Sequence, residues 1–84
     1  MPRFYFHVRD GDIFAEDEEG IIMEDSAAAR AQAIRGARDI MAAAVQKGEL
    51  DLGSFVEVED ENGNCVFLVS FADALQVRAP SQAS

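Results

Sequence analysis

The chain has 84 residues, enough for one domain, and its 49% hydrophobic content excludes general disorder. Its 16 acidic residues outnumber its 7 basic ones and give a net charge of -9. A field of this sign repels phosphates and anionic lipid surfaces, so we expect no nucleic-acid partner and no membrane partner. The single cysteine excludes an internal disulfide, and the sequence shows neither a secretory signal nor a membrane-spanning run. We therefore expect a cytoplasmic protein.

The first half of the chain predicts a strand hairpin followed by a long helix. Residues 3–9 alternate as a strand does, and a second, weaker strand is expected around 20–23. Between them, Asp10, Gly11 and Asp12 favour a turn, and the acidic run 16–19 is too repulsive to be buried. Asp25 or Ser26 can cap a helix that runs to Lys47. Its predicted apolar stripe is Ala33, Ile34, Ala37, Ile40, Met41, Ala44 and Val45.

The second half predicts another hairpin. Residues 55–59 alternate between Val and Glu, and 65–69 form a strand that is apolar on both faces. Asn62-Gly63 between them is a strong hairpin signal. Residues 71–75 are expected to form one helical turn or to finish the last strand. We predict one domain over 1–75 and a flexible tail over 76–84.

These elements predict an α+β fold of the type ββαββ, a four-stranded mixed sheet with one long helix packed on one face. Strands with a charged face are expected at sheet edges, which suggests the order 2-1-4-3 with parallel central strands. In the first strand, Phe6 would then be buried under the helix. The uncovered face would carry Tyr5 and His7, together with either Val66 and Leu68 or Cys65, Phe67 and Val69. Such an apolar patch favours a homodimer or another protein partner.

The candidate sites are weak. Tyr5, His7 and Arg9 at strand spacing could bind a small anion or support catalysis, but a half-buried histidine packed beside Tyr5 explains the same pattern. Cys65 lies among acids that favour the neutral thiol, so a structural cysteine is expected. The acidic residues between Asp10 and Asp25 suit a solvated surface better than a metal site. We expect no cofactor and no bound metal.

The chain opens with Met-Pro-Arg-Phe-Tyr-Phe-His-Val-Arg-Asp-Gly, and further motifs lie at 17–20, 28–30, 58–60, 66–69 and 71–75. Together these segments resemble an uncharacterised family of short bacterial proteins. This resemblance implies a bacterial cytoplasmic protein and transfers no activity. The order strand, acidic turn, strand and Ala-rich helix is also similar to HicB-type antitoxin domains. The chain lacks their Pro-Gly-Cys type segment and their appended DNA-binding region.

Without a recognisable catalytic set, the sequence predicts a non-enzymatic protein-interaction or regulatory module that self-associates through the open sheet face. The possible interface or ligand residues are Tyr5, His7, Arg9, Val66 and Leu68. The alternatives are a small-anion-binding domain or enzyme that uses Tyr5, His7 and Arg9, and a toxin-binding domain of the antitoxin type.

Overall fold

The computed structural model describes residues 1–78. Residues whose side chains alternate between the two faces of the sheet form the long central strand β1 (Arg3–Asp10). β1 is followed by two short strands, β2 (Ile13–Ala15) and β3 (Ile21–Ile22). The helix α1 (Ser26–Gln46) comes next, and the hairpin β4 (Phe55–Glu59) and β5 (Cys65–Ser70) completes the sheet. The predicted α+β fold with one helix packed on a sheet is confirmed.

The sheet is antiparallel throughout and not mixed. Its order is β2-β1-β4-β5, with β3 paired to β1 beyond the end of β2. The predicted second strand around 20–23 corresponds to β3, and β2 is a strand that was not predicted. Within residues 1–78 the sheet thus has five strands where four were expected. β3 and β4 are both antiparallel to β1 and lie on either side of it, so α1 crosses over β1 between them.

The predicted order 2-1-4-3 numbers the four predicted strands, of which the third and fourth correspond to β4 and β5. This order is wrong, because β4 is central and β5 lies at the edge. The prediction assumed that a strand with a charged face must be an edge strand. In β4, however, Glu57 and Glu59 project from the sheet face that α1 does not cover, where they remain partly accessible to water. The Asn-Gly turn then pairs β5 with β4 as a local hairpin.

The helix ends follow from local sequence. The Asp25 side chain accepts a 2.8 Å hydrogen bond from the Ala28 N–H and caps the first turn. At the other end Gly48 has φ 82° and donates to the Val45 carbonyl, while Glu49 donates to the Ala44 carbonyl. This pair of bonds is the Schellman arrangement, which a glycine in the left-handed region permits.

The core lies between α1 and one face of the sheet. Alanines spaced four apart bring the helix close to the strands, and the buried stripe runs from Ala29 to Met41. The predicted stripe extended to Val45, which is exposed, because periodicity identifies the apolar side of a helix but not how far the sheet extends beneath it. The buried hydrophobic residues are Phe4, Ala29, Ala33, Ala37, Met41, Val56, Val58, Val69, Phe71 and Ala74.

Phe6 is less buried than predicted, and Phe71 belongs to the core although the sequence did not place it there. Phe6 faces α1 as expected but is only partly buried, whereas Phe4 is buried. Phe71, in the turn after β5, is 2% exposed and is one of the two largest fully buried side chains among residues 1–78. Its N–H donates to the Ser54 carbonyl at 2.8 Å, which fixes this turn to the segment before β4. The expected tail begins at 76, and its residues 79–84 lie outside the described residues.

Candidate functional site

The sheet face opposite α1 holds the residues that the sequence singled out. Alternation along β1 places Tyr5, His7 and Arg9 on this face. The β4 and β5 registers add Glu57 beside His7 and Leu68 beside Glu57. Val66 lies at the irregularity where the β4–β5 register shifts, and it is exposed. Phe67 and Val69 pack toward the helix, so this face is more polar than the sequence suggested.

His7 is the most buried residue on this face, with 5% of its surface exposed. Its Nδ1 accepts a 3.0 Å hydrogen bond from the backbone N–H of Asp17. The proton of the neutral ring therefore lies on Nε2, which donates to the Glu59 carboxylate. Both ring nitrogens are engaged, and the side chain is held in one orientation.

Asp17 organises the loop between β2 and β3. Its carboxylate accepts hydrogen bonds from the N–H groups of Phe6, Glu19 and Gly20 at 3.1, 3.2 and 3.1 Å. Burial raises the pKa of Asp17, but these hydrogen bonds outweigh that effect and leave its pKa below the ordinary value of 3.8. The bond from Phe6 lies in the stretch of β1 between its pairings with β2 and β3. Asp17 therefore takes the place of a strand partner there.

The ring of Phe14, in β2, packs beside the ring of His7. The two rings lie 5.7 Å apart between centroids, and the Arg9 guanidinium lies 4.4 Å above the centre of the Phe14 ring. A cation over an aromatic face is held by the ring quadrupole. Arg9 is thus directed toward Phe14 and does not line the groove beside His7.

An open groove of about 360 Å³ lies beside Tyr5 and His7. Its walls come from the β2–β3 loop on one side and from the β4–β5 turn on the other. Besides His7, every titratable residue of the described chain that lines it, apart from Tyr5, is acidic: Glu16, Asp17, Glu18, Glu59, Asp60 and Glu61. Long, cationic side chains are the groups that such a groove attracts.

The sequence reasoning missed Asp17, Glu59 and Phe14 as parts of this site. The acidic run 16–19 was interpreted as surface because neighbouring carboxylates repel one another. Asp17 nevertheless turns inward, because three backbone N–H groups compensate its charge. An aspartate three residues before a glycine in a tight turn was the available signal.

The turn that Asn62-Gly63 predicted is present between β4 and β5. Asp60 Oδ1 accepts hydrogen bonds from the N–H groups of Asn62 and Asn64, and Gly63 has φ 80°. Within residues 1–78, no group of three or more His, Cys, Asp or Glu side chains is arranged to hold a metal ion. No helix in the same part of the chain is long and apolar enough to cross a membrane.

The fold and groove of the described residues define a small antiparallel α+β domain with one helix and an acidic groove on its open sheet face. The model of the family described as a domain of unknown function (DUF6894) matches residues 3–72, and the chain belongs to this family. The predicted membership of an uncharacterised family is thus confirmed. No curated protein and no solved structure is significantly similar to the chain.

Proposed function

We propose that this domain is a non-enzymatic protein-interaction module whose groove binds a basic segment of a partner protein. The observation that supports this proposal is the charge of the groove: six carboxylates surround Tyr5 and His7, and within residues 1–78 no lysine or arginine lines it. Opposite charges across an interface speed association and select the partner more than they add affinity. A lysine- or arginine-rich segment fits that requirement.

The hydrogen bonds of His7 argue against catalysis. A general base needs a free ring nitrogen within reach of the substrate proton, and both nitrogens of His7 are engaged by Asp17 and Glu59. Cys65 is exposed, and its thiol donates to the Phe67 carbonyl at 3.4 Å. Because both ring nitrogens of His7 are engaged, neither can act as the base that would activate this thiol.

The small-anion alternative meets an electrostatic obstacle. Tyr5 and His7 line the acidic groove, and Arg9, the only cation of the three residues, stacks on Phe14. An anion in the groove would be repelled by the carboxylates around it. Toxin binding of the antitoxin type would be one case of the proposed partner binding, with a basic surface on the toxin.

We also propose that the protein is bacterial and cytoplasmic, that it forms a homodimer, and that it binds neither nucleic acid nor membranes. The resemblance of the opening sequence supports the bacterial origin, and the single exposed thiol suits a reducing compartment. The net charge of -9 supports the absence of polyanionic partners. Two acidic faces would repel each other, so a homodimer formed face to face across the grooves is disfavoured.

The proposal is tested with a lysine-rich peptide and a glutamate-rich peptide of equal length, titrated into ¹⁵N-labelled protein. The lysine-rich peptide should shift the amide signals of Tyr5, His7 and Gly63, which line the groove, and its affinity should fall as salt rises. The glutamate-rich peptide should leave these signals unchanged.

A matched pair of variants separates the groove from general charge. Glu18→Gln with Glu61→Gln removes two carboxylates that line the groove, whereas Glu24→Gln with Glu49→Gln removes two exposed carboxylates that do not line it. The first double variant should weaken peptide binding several-fold more than the second. Equal weakening, or signal shifts confined to residues away from the groove, would refute the proposal.

A further inference from the structure

The two sides of the sheet differ in how the backbone N–H and C=O groups of their outer strands are paired. On the β1 side, the edge is occupied by the short strands β2 and β3, and Asp17 accepts the Phe6 N–H between them. On the other side, β5 pairs with β4 through one edge only. Within residues 1–78 no strand pairs with the outer edge of β5. An unpaired strand edge offers a row of backbone donors and acceptors to another strand.

The composition of β5 lacks the usual protection of such an edge. Its six residues, Cys-Val-Phe-Leu-Val-Ser, include no charged residue and no proline, although 27% of the whole chain is charged. Leu68 is 59% exposed and Val66 is 37% exposed. Natural edge strands are commonly shielded by lysine, proline, a bulge or a covering element, because an unshielded edge pairs with other chains. The irregularity at Val66 lies near the start of β5 and leaves residues 67–70 regularly paired with β4.

β5 is also complementary to itself. Beyond the irregularity at Val66, an antiparallel pairing about Leu68 places Leu68 opposite its own copy and Phe67 opposite Val69. Every one of these cross-strand pairs is apolar, and the register brings no like charges together within the strand. A twofold axis through such a pairing generates the same contacts on both copies.

We propose that two copies of this chain pair through β5 to form a homodimer with one continuous sheet. The twofold axis is perpendicular to the sheet, so both α1 helices lie on the same side and both acidic grooves stay open on the other. The assembly closes at two copies, because the twofold pairing uses the free β5 edge of both copies, and the opposite edge consists of strands of only three and two residues. β5 contributes no residue to the groove, so the dimer and the groove's partner are independent.

Sedimentation equilibrium under reducing conditions tests the dimer. The protein should reach a monomer–dimer equilibrium at high micromolar concentration, and the dimer should tighten as salt screens the charge of -9 on each copy. Val66→Lys with Leu68→Lys places lysines opposite each other across the twofold axis and should return the protein to monomer. Val45→Lys with Leu50→Lys adds the same charge at two exposed residues outside β5 and should leave the dimer intact.

Hydrogen exchange gives a second measurement that needs no variant. The β5 amides that face the open edge should become more protected as the concentration of the unmodified protein rises, while the α1 amides should not change. A monomer at high micromolar concentration in high salt would overturn the proposal. A dimer that survives Val66→Lys with Leu68→Lys, or β5 protection that does not depend on concentration, would also overturn it.

Discussion

The backbone N–H of Asp17 lies 3.0 Å from Nδ1 of His7, and this hydrogen bond joins the acidic loop to the central strand. It fixes the tautomer of His7 and directs Nε2 toward Glu59 on the neighbouring strand. The carboxylate of the same Asp17 accepts the N–H of Phe6 on β1. One residue of the acidic run thus fills the gap in the strand pairing of β1 and also positions the histidine in the groove.

Replacing His7 with Phe should destabilise the domain although the ring shape is kept. The change leaves the Asp17 N–H and the partly exposed Glu59 carboxylate without their partner. Since both groups are partly buried, we expect a cost at the lower end of the range of about 1–3 kcal/mol that applies to unsatisfied buried groups. Urea denaturation measures the change in the free energy of unfolding. Tyr5→Phe, on the same strand face, is the control and should change it much less. Equal effects of the two substitutions would mean that the His7 hydrogen bonds contribute nothing.

Asp17→Asn should change how stability depends on pH. Because the pKa of Asp17 is lowered in the folded chain, its contribution to stability is fully present above about pH 3.8 and is lost as the pH falls through the folded pKa. The stability difference between the unmodified protein and Asp17→Asn should therefore be largest near neutral pH and shrink below pH 3.8. Thermal unfolding at a series of pH values measures this difference.

Asp12→Asn provides the control for that series, because Asp12 is exposed and the substitution removes the same charge. Its effect on stability should be small at every pH. A stability difference for Asp17→Asn that stays constant from neutral to acidic pH would contradict the role given to the three backbone hydrogen bonds.

Gly20→Ala should destabilise the domain more than Gly11→Ala. Both glycines have positive φ, 70° and 65°, so each substitution carries the left-handed backbone cost of about 1–2 kcal/mol. A Cβ at Gly20 would also lie 2.8 Å from the Phe4 carbonyl oxygen, whereas a Cβ at Gly11 would meet nothing within 4 Å. The crowding should add about 1–3 kcal/mol. Chemical denaturation compares the two, and similar losses would show that β3 shifts away from β1 without cost.

Phe71→Ala should cost about 3–5 kcal/mol, since Phe71 is fully buried and the substitution leaves a cavity. A domain of ordinary stability, about 5–15 kcal/mol, would lose a large share of it. Phe14→Ala is the matched control: Phe14 is 42% exposed, and its contact with Arg9 is worth about 1 kcal/mol. Denaturation midpoints that rank Phe14→Ala as the more damaging would place the core elsewhere.

The isolated domain should not retain duplex DNA or single-stranded RNA at moderate salt. Its net charge of -9 repels phosphates, and binding would have to rely on the few arginines of α1. An electrophoretic mobility assay measures retention. Salt-sensitive micromolar binding would contradict the expectation, and loss of that binding in Arg30→Gln with Arg35→Gln would assign it to the helix.

The sequence alone determined the elements whose causes are local. Asp25 and Gly48 define the helix ends through their own backbone conformations and neighbouring N–H groups, and Asn62-Gly63 defines a hairpin. Alternation in residues 3–9 identified which side chains of β1 share a face. Length and composition predicted one domain, because the hydrophobic residues suffice for one core, and the order of the predicted strands and helix predicted the α+β fold.

Only the tertiary structure decided which strands are neighbours and where Asp17, Glu59 and Phe14 lie around His7. These contacts join residues far apart in the chain, such as His7 and Glu59, and no local preference encodes them. The charged face of β4 suggested an edge, but burial depends on what covers a face, and α1 covers only one. Asp17 turned inward because three N–H groups met its carboxylate, a compensation that exists only once β1 and its loop are folded together.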